Sequence, residues 1–166
     1  MNKQAAKLRK AMQQGVVMCP GAWNGLVGAA ISKAGFQACY ISGGATANAS
    51  GYPDVGLISL TEMCRTIREV SAASNLPVIV DADTGYGEIE CLVRTIVEYE
   101  RNGASGMHIE DQEFPKRCGH LDGKTLISQS AMEEKIKAAS ENRVSDDFIL
   151  VARTDARGVD GLNAAI

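Results

Sequence analysis

Five short apolar runs, separated by stretches with helical spacing, restrict what this sequence can fold into. The runs cover residues 16–19, 38–41, 77–81, 106–110 and 147–152. Strands of that length alternating with amphipathic helices give right-handed βαβ units around a parallel sheet. Helices are predicted at about 24–34, 59–73, 90–101 and 128–141. A polar, lysine-rich helical lead-in is predicted at 1–14 and the start of a further helix at 161–166. Asn24, Ser59 or Thr61, and Ser128 or Ser130 are the candidate caps, because their side-chain oxygens can accept from the free amides of a first helical turn. Residues 46–59 read as a loop. The run at 77–81 is nearly all apolar, as a strand covered on both faces must be. No linker or low-complexity segment interrupts the pattern, so residues 1–166 read as a single domain.

Hydrophobic residues make up 45% and charged residues 22% of the chain, with a net charge of −3. Acidic and basic residues are interspersed. Nucleic acid is not an expected partner, since that would need a basic face. No apolar run approaches the ~20 residues that cross a bilayer, so no membrane partner is expected either. The N-terminal stretch lacks the apolar core of a secretory signal. The five cysteines stand at 19, 39, 64, 91 and 118, never in a Cys-x-x-Cys pair. That spacing fits reduced thiols in a cytoplasmic protein better than a disulfide framework or a zinc site. Cys39, Cys64 and Cys91 have apolar neighbours and read as core filler.

Each apolar run ends in small or polar residues, and in a parallel sheet those ends lie on one side. Open sheets and barrels of this class bind their ligands there. Asp81 and Asp83 are two apart at a strand end and are expected to point the same way. Two such carboxylates repel unless a proton or cation lies between them. A hard divalent ion such as Mg²⁺, with Mn²⁺ as an alternative, suits them, with Asp54 and Glu110 available as further oxygens. Ser42, Gly43 and Gly44 offer a hydroxyl and unobstructed amides to an anion. Arg153 at a strand end needs an anionic partner, either a ligand or a salt bridge to Asp155. His108 alternates with Glu110 on one strand and reads equally as core or as catalytic. Cys118 stands between Arg117 and Gly119 and close to Lys116, where positive charge would favour its thiolate. The alternative is a buried structural cysteine in a solvated charged loop.

The segment Lys116-Arg117-Cys118-Gly119-His120 resembles the cysteine signature of isocitrate lyases. The likeness continues through 40–44, 76–87, 108–112 and 152–156, and spans the chain from about Val17. The chain is thereby similar to the isocitrate lyase/phosphoenolpyruvate mutase superfamily. Within it the resemblance is strongest to the branch that cleaves 2-methylisocitrate. The cysteine motif separates the lyases from the phosphonate mutases, which lack it.

That resemblance implies a (β/α)₈ barrel and a homotetramer with a swapped C-terminal helix. It implies Mg²⁺-dependent cleavage of 2-methylisocitrate to succinate and pyruvate in propionate catabolism. Asp81 and Asp83 would hold the metal, with Asp54 and Glu110 on its waters. Ser42, Gly43 and Gly44 would bind the pyruvate-like end of a small di- or tricarboxylate. Cys118 would protonate the succinate carbanion, Gly119 would help bind that half, and Arg153 would hold a substrate carboxylate. Tyr40 is the candidate for removing the hydroxyl proton. His108, Lys116, Arg117 and His120 complete the candidate set.

A barrel of this kind needs about 250 residues and eight strands, whereas five predicted βα units are present here. The expectation is a partial barrel of limited stability and little turnover, lacking strands six to eight and the ligands they carry. Alternatives are a lyase or decarboxylase of the same superfamily acting on isocitrate, 2,3-dimethylmalate or oxaloacetate. An inactive piece serving as an interaction scaffold is a further alternative.

Overall fold

Four strands lie side by side in chain order in the computed structural model, which describes residues 2–166. They are β1 (Cys39–Ile41), β2 (Val78–Asp81), β3 (Gly106–Glu110) and β4 (Ile149–Arg153), every pairing parallel. Helices α1 (Lys3–Gln14), α2 (Gly25–Lys33), α3 (Gly43–Ala49), α4 (Leu60–Ser74), α5 (Ile89–Arg101), α6 (Gln129–Asn142) and α7 (Ala156–Val159) intervene, and a 3₁₀ turn (Leu162–Ala165) follows. Met1, the start of the predicted lead-in, lies outside the described residues.

Alternation along the strands sorts the two faces of the sheet. Cys39, Ile41, Val78, Val80, Met107 and Ile109 are wholly buried in the main core, against Met63, Ile67 and Val70 of α4 and Leu92, Ile96 and Tyr99 of α5. The opposite face grades from apolar to polar. At its lower end Ile79 and Ile149 pack in a second cluster with Leu8 of α1. At its upper end it carries Asp81, Glu110 and Arg153. Arg9 ties α1 under the sheet by donating to the carbonyls of Asp147 and Phe148. The polar end is therefore set above a small apolar cluster.

Local chemistry accounts for the helix starts. Asn24 accepts from the Val27 amide and Ser128 from Ala131. Ser59 and Glu62 exchange bonds as a capping box, which satisfies two amides that water would otherwise have to serve.

Four expectations are corrected. Residues 16–19 form no strand: the chain meets β1 at one bridge, Gly21 to Tyr40, and Val16 is 98% exposed. A strand is held by lateral partners, and here only the three-residue β1 is on offer. Residues 46–49 are helical, since Ser42 accepts from the Ala45 amide and starts α3 at Gly43. The two glycines, poor helix formers, disguise it. Cys91 is exposed, because its apolar neighbours in sequence face elsewhere on α5. The helix expected from 161 is a 3₁₀ turn, preceded by the unforeseen α7. Among the described residues no helix is long and apolar enough to cross a membrane.

Candidate active site

A cleft of ≈ 540 Å³ opens at the upper strand ends. Tyr40, Ser42, Gly44, Asp54, Asp81, Glu110, Lys116, Cys118, Gly119, His120 and Arg153 border it, all of them predicted, together with Asn48 and Asp155. Gly43, Asp83 and His108 touch this wall without lining the cleft. Arg117 does not: its exposed guanidinium donates to the Asp122 carbonyl.

Asp81 ends β2 and is held at both oxygens. One accepts from the Gly43 amide and the other from the Asp83 amide, each at 3.0 Å. That second bond helps hold Asp83 at φ 46°, a left-handed conformation that short polar side chains tolerate. From below, Tyr99 donates to the Asp81 carbonyl, and the Tyr86 hydroxyl lies 3.0 Å from that of Tyr99. A Cβ on Gly43 would stand 3.1 Å from Asp81 and 3.2 Å from Asp83, and one on Gly44 2.8 Å from Asp54. The glycines thus let three carboxylates crowd the start of α3.

Lys116 answers that crowding. Its buried ammonium lies 2.5 Å from Asp54 Oδ1 and 2.7 Å from Asp83 Oδ1. At that distance the contact with Asp83 is an ion pair, and the ammonium is the partner that this buried oxygen has. Burial and then Asp81 still push the Asp83 carboxyl above its ordinary range, against the pull of Lys116. Both cations expected beside Cys118 are bonded to other groups, Lys116 to Asp54 and Arg117 to the Asp122 carbonyl. Cys118 itself is half-buried at the cleft edge, in a turn where its carbonyl accepts from the Leu121 amide.

Two further polar groups complete the wall. The Tyr40 hydroxyl is 2.8 Å from His108 Nε2, and the rings stack at 5.7 Å. His108 Nδ1 is buried without a hydrogen-bond partner, 3.7 Å from Asp81 Oδ1. Burial lowers the His108 pKa and raises that of Tyr40, so both rest neutral. Arg153 meets the anion it needs inside the chain: Glu110 at 2.9 Å and Asp155 at 3.2 Å. The salt bridge to Asp155 is present, and the stronger partner, Glu110, was not foreseen. Gln112 also escaped the sequence reading. Fully buried, it donates to Glu110, Asp155 and the Arg117 carbonyl, and accepts from the Arg117 amide. It fastens the cysteine loop to the acidic wall. Its place two residues after Glu110 in the 108–112 motif was the available signal.

Burial lifts the Glu110 carboxyl to about 7, against the opposing pull of Arg153 and Lys116. The folded state therefore holds a proton that the unfolded chain, near 4.5, releases. Stability should fall as pH rises from about 4.5 to about 7. Urea midpoints measured across that window should slope downward, and Glu110→Gln should flatten the slope. An unchanged slope in the variant would assign it to another group.

Asp54, Asp81, Asp83, Glu110 and Asp155 outweigh Lys116 and Arg153 here. An all-oxygen, acid-rich donor set suits a hard divalent ion. Among the described residues no three metal-binding side chains stand ready-made around a common point.

A parallel sheet with polar groups gathered at its C-terminal strand ends is the arrangement of (β/α)-barrel enzymes. The sequence pattern of the phosphoenolpyruvate phosphomutase family matches residues 8–166. A probable 2-methylisocitrate lyase 2 of Corynebacterium glutamicum is 45% identical over 151 residues, 91% of this chain and 49% of that protein. The crystal structure of a 2,3-dimethylmalate lyase superposes with a TM-score of 0.92 at 36% identity, covering 98% of this chain and 56% of the other. A phosphonopyruvate hydrolase in complex with oxalate and Mg²⁺ superposes at 0.88 with 27% identity, covering 98% and 56%. The chain belongs to the phosphoenolpyruvate mutase/isocitrate lyase superfamily, and it spans about half the length of these relatives.

Proposed function

We propose that the chain is the N-terminal portion of a barrel domain whose enzyme cleaves 2-methylisocitrate to succinate and pyruvate. The observation that carries this reading is the placing of Cys118 on the same cleft as Asp54, Asp81 and Glu110. A thiol and a group of hard carboxylates on one cleft suit a reaction that needs both a proton donor and a charge sink.

Asp81 and Asp83 would hold Mg²⁺, or Mn²⁺ in its place, with Asp54 and Glu110 on its waters. Bound there, the ion would act as a Lewis acid toward the oxygens of the pyruvate half. Ser42 and Gly44 would face that half; the Gly43 amide is already committed to Asp81. Tyr40 rests protonated. It can take the substrate hydroxyl proton only by passing its own to His108 Nε2, 2.8 Å away. As the carbon–carbon bond breaks, its electron pair stays on the succinate carbon. Cys118 would supply the proton that carbon needs, and Gly119 would border it. Arg153 would share its guanidinium between Glu110, Asp155 and a substrate carboxylate. The cytoplasm and a homotetramer are the expected setting.

A second reading is 2,3-dimethylmalate as substrate, favoured by the superposition on that lyase. Pyruvate release should be measured with both acids and Mg²⁺, on this chain and on one extended to a full barrel. Release from 2-methylisocitrate by the extended protein is expected. Its absence there, with dimethylmalate turned over, would move the proposal to the second substrate.

A further inference from the structure

Lys116 contributes no proton and no substrate contact to the mechanism above, yet its ammonium sits at the centre of the acidic wall. Its side chain is 5% exposed, and it bridges Asp54 at 2.5 Å and Asp83 at 2.7 Å. Those residues come from different loops, after α3 and after β2, while Lys116 comes from the loop after β3. A lysine enters such a place only when paired, because an unpaired buried ammonium is far too costly. The carboxylates have the matching need, since Asp54, Asp81 and Asp83 converge on the start of α3 and, among the described residues, no other cation is bonded to them.

We propose that Lys116 is the internal counter-cation of the metal site, so that a divalent ion reaches Asp83 only as the ammonium leaves it. This rests on the reading of Asp81 and Asp83 as metal ligands. Mg²⁺ binds its oxygens at about 2.0–2.1 Å. Asp83 Oδ1 cannot face such an ion while a unit positive charge stays 2.7 Å from the same oxygen without strong repulsion. The two cations therefore compete for one buried oxygen. The charge of Lys116 thus holds the acidic wall together without metal and weakens the binding of metal.

The test is calorimetric titration of Mg²⁺ into the chain, wild type against Lys116→Met and Lys116→Arg, with thermal melting of each in EDTA and in saturating Mg²⁺. Lys116→Met should bind Mg²⁺ about tenfold more tightly or better, the size of one charge-assisted contact removed from the competition. It should melt earlier than wild type in EDTA and recover in Mg²⁺. Lys116→Arg keeps the charge and should stay near the wild-type affinity. Binding by Lys116→Met but not by wild type supports the proposal in its strongest form. Equal or weaker binding by Lys116→Met overturns it while leaving the metal site standing. Binding by neither chain removes the metal reading and this proposal together. A wild-type measurement covers the case in which the methionine variant does not fold. Mg²⁺ should speed acetylation of Lys116, followed by peptide mass spectrometry, several-fold over EDTA, and an unchanged rate overturns the competition.

Discussion

Cys118→Ser in the chain extended to a full barrel should cut pyruvate release from 2-methylisocitrate by about 10³-fold or more, within the range that general acids supply. Serine is close to isosteric, but a hydroxyl gives up a proton far less readily than a thiol. A carbanion formed during bond cleavage must be protonated before the bond reforms. A much weaker donor hands that race to recombination. The substitution leaves Asp81 and Asp83, the proposed metal carboxylates, untouched, since among the described residues no hydrogen bond joins the sulfur to either of them. Mg²⁺ affinity should therefore stay within about twofold, well under one tenfold step in binding. Cys118 is half-buried in a turn held by backbone bonds, so stability should move by no more than about 0.5 kcal/mol. Retained turnover would end the acid role, while loss of turnover together with metal affinity would point to a misplaced loop.

Much of this architecture was legible because its causes are local. The caps announce their helices by side-chain chemistry within three residues: Asn24 stands where the sequence put it, and Ser59 and Ser128 are each the first of the two candidates offered. β3 has the predicted bounds, 106–110, since an apolar run flanked by glycine and acid has few other fates. The gathering of strand ends was legible too, because parallel topology turns separate sequence positions into one rim. What escaped depends on distant partners. The run at 16–19 has the composition of a strand but meets too little lateral backbone. Lys116 reads as a neighbour of Cys118, yet pairs with Asp54, 62 positions away. Arg153 suggested Asp155 by proximity and found Glu110 by register, the two being paired across β3 and β4. Gln112 has neutral polar chemistry that marks it for nothing until three acceptors surround it. Short-range chemistry thus located the rim, while the charge pairing inside it came only with the fold.

That pairing gives Asp81→Ala its expected outcome. The substitution removes one of two carboxylates assigned to Mg²⁺ and the acceptor for both the Gly43 and Asp83 amides. Loss of groups that merely support a ligand costs about 10–100-fold in metal affinity, so loss of a ligand itself should cost about 100-fold or more. Turnover by the extended protein should vanish with it. The effect on folding is smaller because opposing terms meet. Each buried amide left without an acceptor costs about 1–3 kcal/mol. Against this, the repulsion that Asp81 exerts on Asp83 disappears, and Asp83 ionises more readily beside Lys116. A net loss of about 1–3 kcal/mol is expected, within the range of ordinary point substitutions. Asp81→Asn separates the two roles. Its single carbonyl oxygen can accept one of the two amides but carries no charge, so folding should recover in part while metal affinity stays low. Calorimetry for Mg²⁺ beside urea unfolding of both variants reads the two quantities apart. If Asp81→Asn binds Mg²⁺ as wild type does, Asp81 supports the loop at 81–87 and the metal must be sought elsewhere on the rim.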